Sequence, residues 1–211
     1  TLADDAWGGM VDESVSSNVA DGNTVTLSMW IYPTLASGAV RPENQNWILA
    51  SFVDMGNQTR WFLQIKDDGS LRWYKHWGGF EDLGTWLSAG TFTANTWHHL
   101  YISVSGSTVD VRVNGATVTP NNAVSSTNWQ WSNVDGIGWG ATTDGNYGGL
   151  GDRMAQMYFS NTYQAAGSNL SKFYDSGYVY MGPDGVASGA VDPVIFLDGD
   201  SSLITQNRGN T

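Results

Sequence analysis

The amino-acid sequence predicts an all-β fold, and three of its features point to it. Apolar residues occupy every second position in two neighbouring runs, with polar residues between them: Leu100, Ile102 and Val104, then Val109, Val111 and Val113. Strict alternation of this kind is typical of strands with one buried face. The 26 glycines and 11 tryptophans indicate a turn-rich protein with a high aromatic content. Because the 211 residues contain neither a repeat nor a linker, one domain is expected.

The first strands follow from the same pattern, taken in chain order. Residues 1–23 are polar and are expected to form an irregular N-terminal arm, so the domain itself is predicted to extend over 24–211. The first strand, 24–32, ends at Pro33, because proline cannot donate to a β-ladder. A second strand is expected at 47–53.

The central hairpin, residues 97–113, is the clearest element of the chain. Its two strands are separated by a short loop at Gly106. It is followed by Asn114-Gly115, a dipeptide that tolerates the positive φ angles of a type I′ turn. A third strand is therefore expected at 116–118.

The remaining elements carry weaker patterns, because they are short or rich in glycine. They are a hairpin at 61–77 that turns at Asp68-Gly69, a glycine-rich loop at 78–90, short strands at 137–140, 152–159 and 194–200, and one short helix near residues 168–175.

Two groups of motifs carry a resemblance to a known family. The motif W-H-H-L-x-I-x-V-x-G-x-x-V-x-V-x-V-N-G, at residues 97–115, resembles the central hairpin of laminin G-like domains in the concanavalin A-like lectin/glucanase superfamily. The later motifs L-S-K-F-Y, P-V-I-F-L-D-G-D and N-R-G resemble the closing half of laminin G-like proteins from tailed-phage particles. The resemblance implies a two-sheet antiparallel jelly-roll sandwich and a virion or extracellular location.

Charge and composition argue against several partners. Nine basic and twenty acidic residues give a formal net charge of −11 and a pI near 4.3. Such a surface repels phosphate backbones and anionic lipids, so neither nucleic-acid binding nor membrane insertion is expected. The absence of cysteine excludes disulfides and thiolate metal sites.

The distribution of acidic residues argues against hydrolysis. Retaining glycosidases need two carboxyl groups roughly 5–5.5 Å apart, which related glucanases place at alternate positions of one strand. The three glutamates, Glu13, Glu43 and Glu81, are not predicted to share a strand with another acid. Asp198 and Asp200 have this spacing beside a strand, but the glycine between them indicates a turn. No catalytic residue is therefore assigned.

Calcium is the one ion for which the sequence offers suitable ligands. Calcium takes hard oxygen ligands from loops, and two Asp-Gly turns supply them. The candidate residues are Asp144, Asn146, Asp198 and Asp200. Because Asp-Gly is in the first place a turn sequence, a purely structural role for these residues stays open.

The most suggestive group of residues is aromatic and polar. If the apolar positions face the core, several rings and planar polar groups face outward, and the resemblance implies that their strands are neighbours. Aromatic rings beside such groups bind the C–H faces and hydroxyls of sugars. The predicted ligand-binding residues are Trp30, Gln64, Arg72, Tyr74, His76, Tyr101 and Arg112, extended by the loop residues Trp77 and Trp86. Most tryptophans, including Trp73 and Trp97, are expected to fill the core.

The sequence thus predicts a non-catalytic binding or adhesion module that recognises surface glycans. The alternative is a structural virion protein whose outward aromatic residues contact neighbouring subunits, since tryptophan and tyrosine are enriched at protein interfaces. The sequence leaves open whether the chain forms a homo-oligomer.

Overall fold

The computed structural model describes residues 10–12, 24–33, 47–53, 60–65, 71–76, 80–85, 92–119, 136–139, 153–176, 179, 181–182 and 184–197. Within these ranges the chain forms twelve β-strands in two sheets and one short helical segment. All strand pairs are antiparallel. The predicted two-sheet antiparallel jelly-roll sandwich is confirmed.

The strands are numbered in chain order and divide equally between the sheets. Sheet A contains, in spatial order, β1 (Met10–Asp12), β10 (Gly136–Trp139), β3 (Trp47–Val53), β4 (Arg60–Ile65), β5 (Leu71–His76) and β6 (Phe80–Thr85). Sheet B contains β12 (Ile195–Leu197), β11 (Arg153–Ser160), β2 (Thr24–Tyr32), β7 (His98–Ser105), β8 (Thr108–Val113) and β9 (Ala116–Val118).

The main core lies between the two sheets. Alternate residues of β2 and β7 pack there against residues of β3, β4 and β5 in one cluster. The rings of Phe52 on sheet A and Phe159 on sheet B are 5.4 Å apart between centroids. The alternating residues of the central hairpin join this core as predicted: Leu100, Ile102, Val104, Val111 and Val113 are buried, and Val109 packs against them.

The turns of the central hairpin also follow the sequence. Ser105 pairs with Thr108, so β7 and β8 are joined by a two-residue turn that begins at Gly106 with φ 59°. Asn114 and Gly115 have φ values of 50° and 79°, the two positive angles of the predicted type I′ turn. A Cβ atom at Gly115 would lie 2.9 Å from the Tyr174 ring, so this turn needs glycine for space as well.

Two strands were not predicted from the sequence. β1 lies inside the segment expected to be irregular, and its three residues pair with β10. β6 lies inside the expected glycine-rich loop and pairs with β5. Both depend on backbone pairing with a strand elsewhere in the chain, and neither shows the alternation that would reveal it. The division into an arm at 1–23 and a domain at 24–211 stays a prediction.

We call the segment between β11 and β12, residues 161–194, the C-terminal strap, and its described residues pack on the outward side of β2, β7 and β11. It contains the predicted short helix, which begins slightly earlier than expected, as α1 (Ala166–Asn169) followed by a 3₁₀ turn (Leu170–Lys172). Strap residues form a second apolar cluster with the outward side chains of the sheet: Tyr101, Tyr158, Ala166, Phe173, Met181, Ala190 and Phe196. The outward side of β11, β2 and β7 is therefore packed as well as their inward side.

In the described ranges, no helix has the length and apolar character needed to cross a membrane.

Substituting Val111 with aspartate is expected to prevent folding. Val111 is buried in the main core, where a carboxylate would have no partner. Such a change lowers the free energy of unfolding by more than about 4 kcal/mol, out of the 5–15 kcal/mol typical of a domain. Urea denaturation followed by circular dichroism measures the loss. Thr108→Asp, at an exposed position of the same strand, is the control and should unfold like the parent. A folded Val111→Asp variant of parental stability would contradict the assigned register.

Candidate ligand-binding face

The predicted ligand-binding residues do not form one face. Gln64, Arg72, Tyr74 and His76 lie on β4 and β5 of sheet A. Trp30, Tyr101 and Arg112 lie on β2, β7 and β8 of sheet B. The expectation that these strands are all neighbours is wrong, because the two groups belong to opposite layers of the sandwich.

The strap covers the outward side of β2 and β7, so two predicted ligand-binding residues are not exposed. Trp30 is 8% exposed and Tyr101 is 0% exposed. The Trp30 ring lies 5.2 Å from His99 and 5.9 Å from Tyr174 between centroids. Both residues point away from the main core as the alternation predicts, but they are covered there. Their exposure was predicted wrongly.

Hydrogen bonds fasten the strap to this face. The Gln164 Nε2 donates to the Tyr158 hydroxyl at 2.8 Å, and the Tyr101 hydroxyl donates to the Gln164 carbonyl. The Tyr158 hydroxyl donates to the Val191 carbonyl at 2.6 Å. Burial raises the pKa of Tyr158 to about 12 and raises that of Tyr101 further, so both phenols stay protonated. These tyrosines therefore stabilise the fold and are closed to a ligand.

Arg112 is engaged within its own sheet. Its Nε donates to Asp110 Oδ1 at 2.6 Å and its Nη1 donates to Thr117 Oγ1 at 2.5 Å. The hydrogen bond to Asp110 raises the pKa of the guanidinium further above its usual range. A ligand at this position would have to replace both contacts.

His99 is a buried neutral imidazole. Its Nε2 lies 2.8 Å from the Ser28 hydroxyl, and its ring stacks on Tyr174 at 5.3 Å and 16°. Its Nδ1 has no hydrogen-bond partner among the residues described. Burial lowers the pKa of His99 to about 3, because a charged ring would lose its hydration without gaining an anion.

The outward side of sheet A carries the other predicted residues. Gln64 alternates with Leu63 and Ile65, which are in the main core, and Arg72 alternates likewise with Leu71 and Trp73. Gln64 and Arg72 are register partners, so they are neighbours on this outward side. We call this the Gln64 face.

The Gln64 amide is buried without a partner. The residue is 1% exposed, and neither Oε1 nor Nε2 has a hydrogen-bond partner in the part of the chain that the structure describes. A buried amide left unpaired costs about 1–3 kcal/mol. Since most buried polar groups are satisfied, an exception of this kind calls for a partner that the described residues do not supply, such as an ordered water or a ligand.

The remaining predicted residues of sheet A are placed by their strands. Tyr74 and His76 follow Arg72 at every second position of β5, and they pair in register with Phe62 and Arg60. Alternation assigns these positions to the Gln64 face. The loop residues predicted to extend the face, Trp77 and Trp86, lie outside the described residues.

The structure does not test the calcium prediction. All four candidate ligands, Asp144, Asn146, Asp198 and Asp200, lie outside the described residues. In the ranges described, no group of three or more histidine, aspartate or glutamate side chains is arranged to hold a metal ion.

Glu81 shares β6 with Asp82, although no glutamate was expected to share a strand with another acid. The two are consecutive, and consecutive residues of a strand point to opposite faces. They therefore lack the i, i+2 spacing of paired glucanase carboxylates.

Trp97 was expected in the core but is 40% exposed. Its ring meets that of Tyr32 edge to face, with centroids 5.3 Å apart. The loop that carries it is held by the Asn95 N–H, which donates to the Pro33 carbonyl at 2.7 Å. Trp97 precedes β7 by one residue, so alternation could not decide its burial.

The fold and the central hairpin together identify the family. The family profile of the concanavalin A-like lectin/glucanases superfamily, in its laminin G form, matches residues 8–157. The chain belongs to this superfamily. Among curated proteins, none matches the chain significantly in sequence.

Three solved structures illustrate the likeness. Domain 4 of AbnA, an extracellular GH43 arabinanase of Geobacillus stearothermophilus in complex with arabinotriose, has a TM-score of 0.50 and 15% identity, over 71% of this chain and 66% of that chain. A candidate carbohydrate-binding protein of Bacteroides ovatus has a TM-score of 0.51 and 12% identity, over 92% of this chain and 49% of that chain. Tailspike protein 2 of the Escherichia coli O157:H7 bacteriophage CAB120 has a TM-score of 0.50 and 12% identity, over 87% of this chain and 24% of that chain.

The chain thus spans about two thirds, half and a quarter of the lengths of these three proteins. At such identities the likeness is one of fold.

The buried His99 is expected to make stability depend on pH in acid. The unfolded histidine has a pKa of 6.5 and the folded one about 3, so the unfolded chain binds more protons between these values. The contribution of neutral His99 to the free energy of unfolding is therefore complete above pH 6.5. Below that value it falls by about 1.4 kcal/mol for each pH unit, down to about pH 3. Denaturation at pH 6.5 and 4.5 measures it.

His99→Phe provides the comparison, because it keeps an aromatic ring beside Tyr174 and removes the titrating group. The other titrating groups are the same in both proteins. Between pH 6.5 and pH 4.5, the free energy of unfolding of the parent should therefore fall by about 2–3 kcal/mol more than that of the variant. Equal losses would contradict the buried neutral state of His99.

Proposed function

We propose that this chain is a non-catalytic glycan-binding module and that its ligand lies on the Gln64 face of sheet A. The observation that carries the proposal is the buried, unpaired amide of Gln64 beside Arg72. The alternative platform on sheet B, at Trp30 and Tyr101, is covered by the strap, so the proposed site lies on the outward side of sheet A, where Gln64 and Arg72 are neighbours.

The chemistry of this face suits a sugar. An amide and a guanidinium present several donors and one acceptor in fixed planes, which match the hydroxyl groups of a saccharide. The position of Tyr74 adds an aromatic residue, whose ring can take the C–H face of a sugar ring. The carbohydrate ligand in the AbnA domain structure is consistent with such a use of the fold.

The location that fits this function is the outside of a cell or a virion. Surface glycans are displayed there, and the tailspike of similar fold is a virion protein. In such an assembly, the module would hold the particle or the parent protein against a glycan-bearing surface. Pull-down by purified capsule or cell-wall polysaccharide tests the proposal directly.

Removing Arg72 or the Tyr74 ring is expected to weaken glycan binding. We expect Arg72→Ala and Tyr74→Ala each to lose roughly 1–3 kcal/mol, or about 5- to 150-fold, if they act as binding hot spots. Titration calorimetry with a glycan selected on an array measures the change.

Lys172→Ala is the matched control, because it removes a cation from the strap, on the opposite side of the sandwich. It should bind like the parent. If Arg72→Ala and Tyr74→Ala both bind glycan with the affinity of the parent, the ligand-binding site does not lie on the Gln64 face.

A second candidate function is contact with a neighbouring subunit through Trp97 and Tyr32. The exposure of Trp97 favours it, because tryptophan and tyrosine are enriched at protein interfaces. The edge-to-face contact with Tyr32 holds the exposed ring in place and lowers the conformational entropy that it would lose on binding. This surface lies on sheet B and its adjoining loop, so it leaves the Gln64 face free.

Trp97→Ala separates this function from glycan binding. If Trp97 lies in a subunit contact, native mass spectrometry of the variant should give a smaller species than the parent at equal concentration, with glycan affinity per chain unchanged. Val191→Ala, at another exposed apolar side chain, is the control and should keep the parental mass. If Trp97→Ala has the same mass as the parent, the proposed subunit contact through Trp97 is contradicted.

A further inference from the structure

The turn after the central hairpin holds the only Asn-Gly dipeptide of the chain, Asn114-Gly115. In such a dipeptide the backbone nitrogen of glycine attacks Cγ of the asparagine side chain, a C–N bond forms, and ammonia leaves with Nδ2. Glycine favours this step, because it has no Cβ to block a close approach. Water then opens the five-membered succinimide and gives aspartate or, by opening at the other carbonyl, isoaspartate. Asn114 is exposed, so water reaches it.

Two hydrogen bonds hold the Asn114 side chain across the turn, and we call them the hairpin lock. Oδ1 accepts from the His99 N–H at 2.8 Å, and Nδ2 donates to His98 Nδ1 at 3.1 Å. The amide is thus directed at β7. Cγ reaches the Gly115 nitrogen only when the side chain turns away from β7, so the attack requires both bonds of the lock to break.

The His98 ring can carry its proton on either nitrogen without losing a partner. While Nδ1 accepts from Asn114, the proton is on Nε2, which donates to the Thr93 carbonyl at 3.0 Å. The same Nε2 lies 3.0 Å from the Thr93 N–H. With the proton on Nδ1 instead, Nε2 accepts from that N–H. The backbone of Thr93 therefore serves both tautomers.

The second tautomer suits an aspartate at position 114. An ionised carboxylate only accepts, so it keeps the bond from the His99 N–H and needs a donor where asparagine presented Nδ2. His98 supplies that donor when its proton is on Nδ1. The backbone accepts the change as well, because φ is 50° at this position and aspartate tolerates this left-handed conformation as asparagine does.

Isoaspartate has no such fit. It adds a methylene group to the main chain between β8 and β9, so the register of Val113 with Ala116 is lost. The two products of one reaction therefore differ in their effect on the hairpin.

We propose that Asn114 is a site of spontaneous deamidation by water, that the hairpin lock holds the reaction back in the folded chain, and that the turn accepts the aspartate product through the other tautomer of His98.

Peptide mapping by mass spectrometry measures the reaction in folded and in urea-unfolded protein at one pH and temperature. Asn114 should convert at least about tenfold more slowly in the folded chain, because the lock must open first. Asn95, which is also exposed but precedes threonine, is the internal control and should convert more slowly than Asn114 in the unfolded chain. Equal rates in folded and unfolded protein would overturn the role of the lock. An Asn114 that stays unchanged in the unfolded chain would overturn the site.

Asn114→Asp tests whether the turn accepts the product, and Asn114→Gly is its matched variant. Glycine adopts the left-handed conformation freely and lacks both bonds of the lock, so Asn114→Gly should melt about 4–8 °C below the parent. Asn114→Asp keeps both bonds and should melt within about 2 °C of the parent. If Asn114→Asp melts as low as Asn114→Gly, the turn does not accept the aspartate.

The position of the ring proton tests the part played by His98. Long-range proton–nitrogen NMR spectra of the isotope-labelled protein show which ring nitrogens carry protons. At neutral pH, Nδ1 of His98 should be unprotonated in the parent and protonated in Asn114→Asp. An unprotonated Nδ1 in the variant would overturn the tautomer exchange, even if the variant is stable. None of these measurements depends on glycan binding, so they test this site independently of the function proposed above.

Discussion

The pairing of β2 with β7 is the constraint on which the rest of the structure depends, because both faces of this strand pair are buried. Their inward residues fill the main core between the sheets. Their outward residues include Thr26, Ser28 and Ser103, which are equally closed to solvent. A strand pair buried on two sides needs a layer on each side. Sheet A supplies one layer and the strap supplies the other.

The polar residues on the outer side of β2 and β7 make the strap specific. A purely apolar surface would accept many arrangements of a covering segment, whereas hydroxyl groups need partners in fixed directions. Thr26 donates to the Thr162 carbonyl at 2.7 Å, and Thr24 donates to the Asn161 carbonyl at 2.6 Å. The start of the strap is thus set by hydrogen bonds, and the aromatic cluster beyond it then follows.

The histidines of the central hairpin serve the same structural purpose. Asn114 accepts from the His99 N–H at 2.8 Å through Oδ1 and lies 3.1 Å from His98 Nδ1 through Nδ2. His98 in turn meets the backbone of Thr93 at 3.0 Å. The W-H-H-L and V-N-G parts of the motif therefore bond to each other and lock the hairpin.

The glycan site proposed above consequently lies on sheet A. Sheet B uses its outward aromatic residues to hold the strap, so they contribute to stability and are lost to ligands. On sheet A, the Gln64 amide is buried and receives no compensation from the described residues. Proteins commonly retain such locally unfavourable groups where they bind ligands, and the surrounding fold supplies the stability that the site lacks.

The sequence by itself determined which way each strand residue points, because alternation is a property of the extended backbone. It thereby determined the core positions of the hairpin and the all-β class, while the Asn114-Gly115 dipeptide predicted the type I′ turn and the resemblance carried by the hairpin motif implied the sandwich. Only the tertiary structure decided which outward residues meet solvent. Trp30 and Tyr101 point outward as predicted and are buried, since the strap, which is distant from both in the sequence, covers them. Exposure depends on contacts between residues distant in sequence, and no local pattern records those contacts.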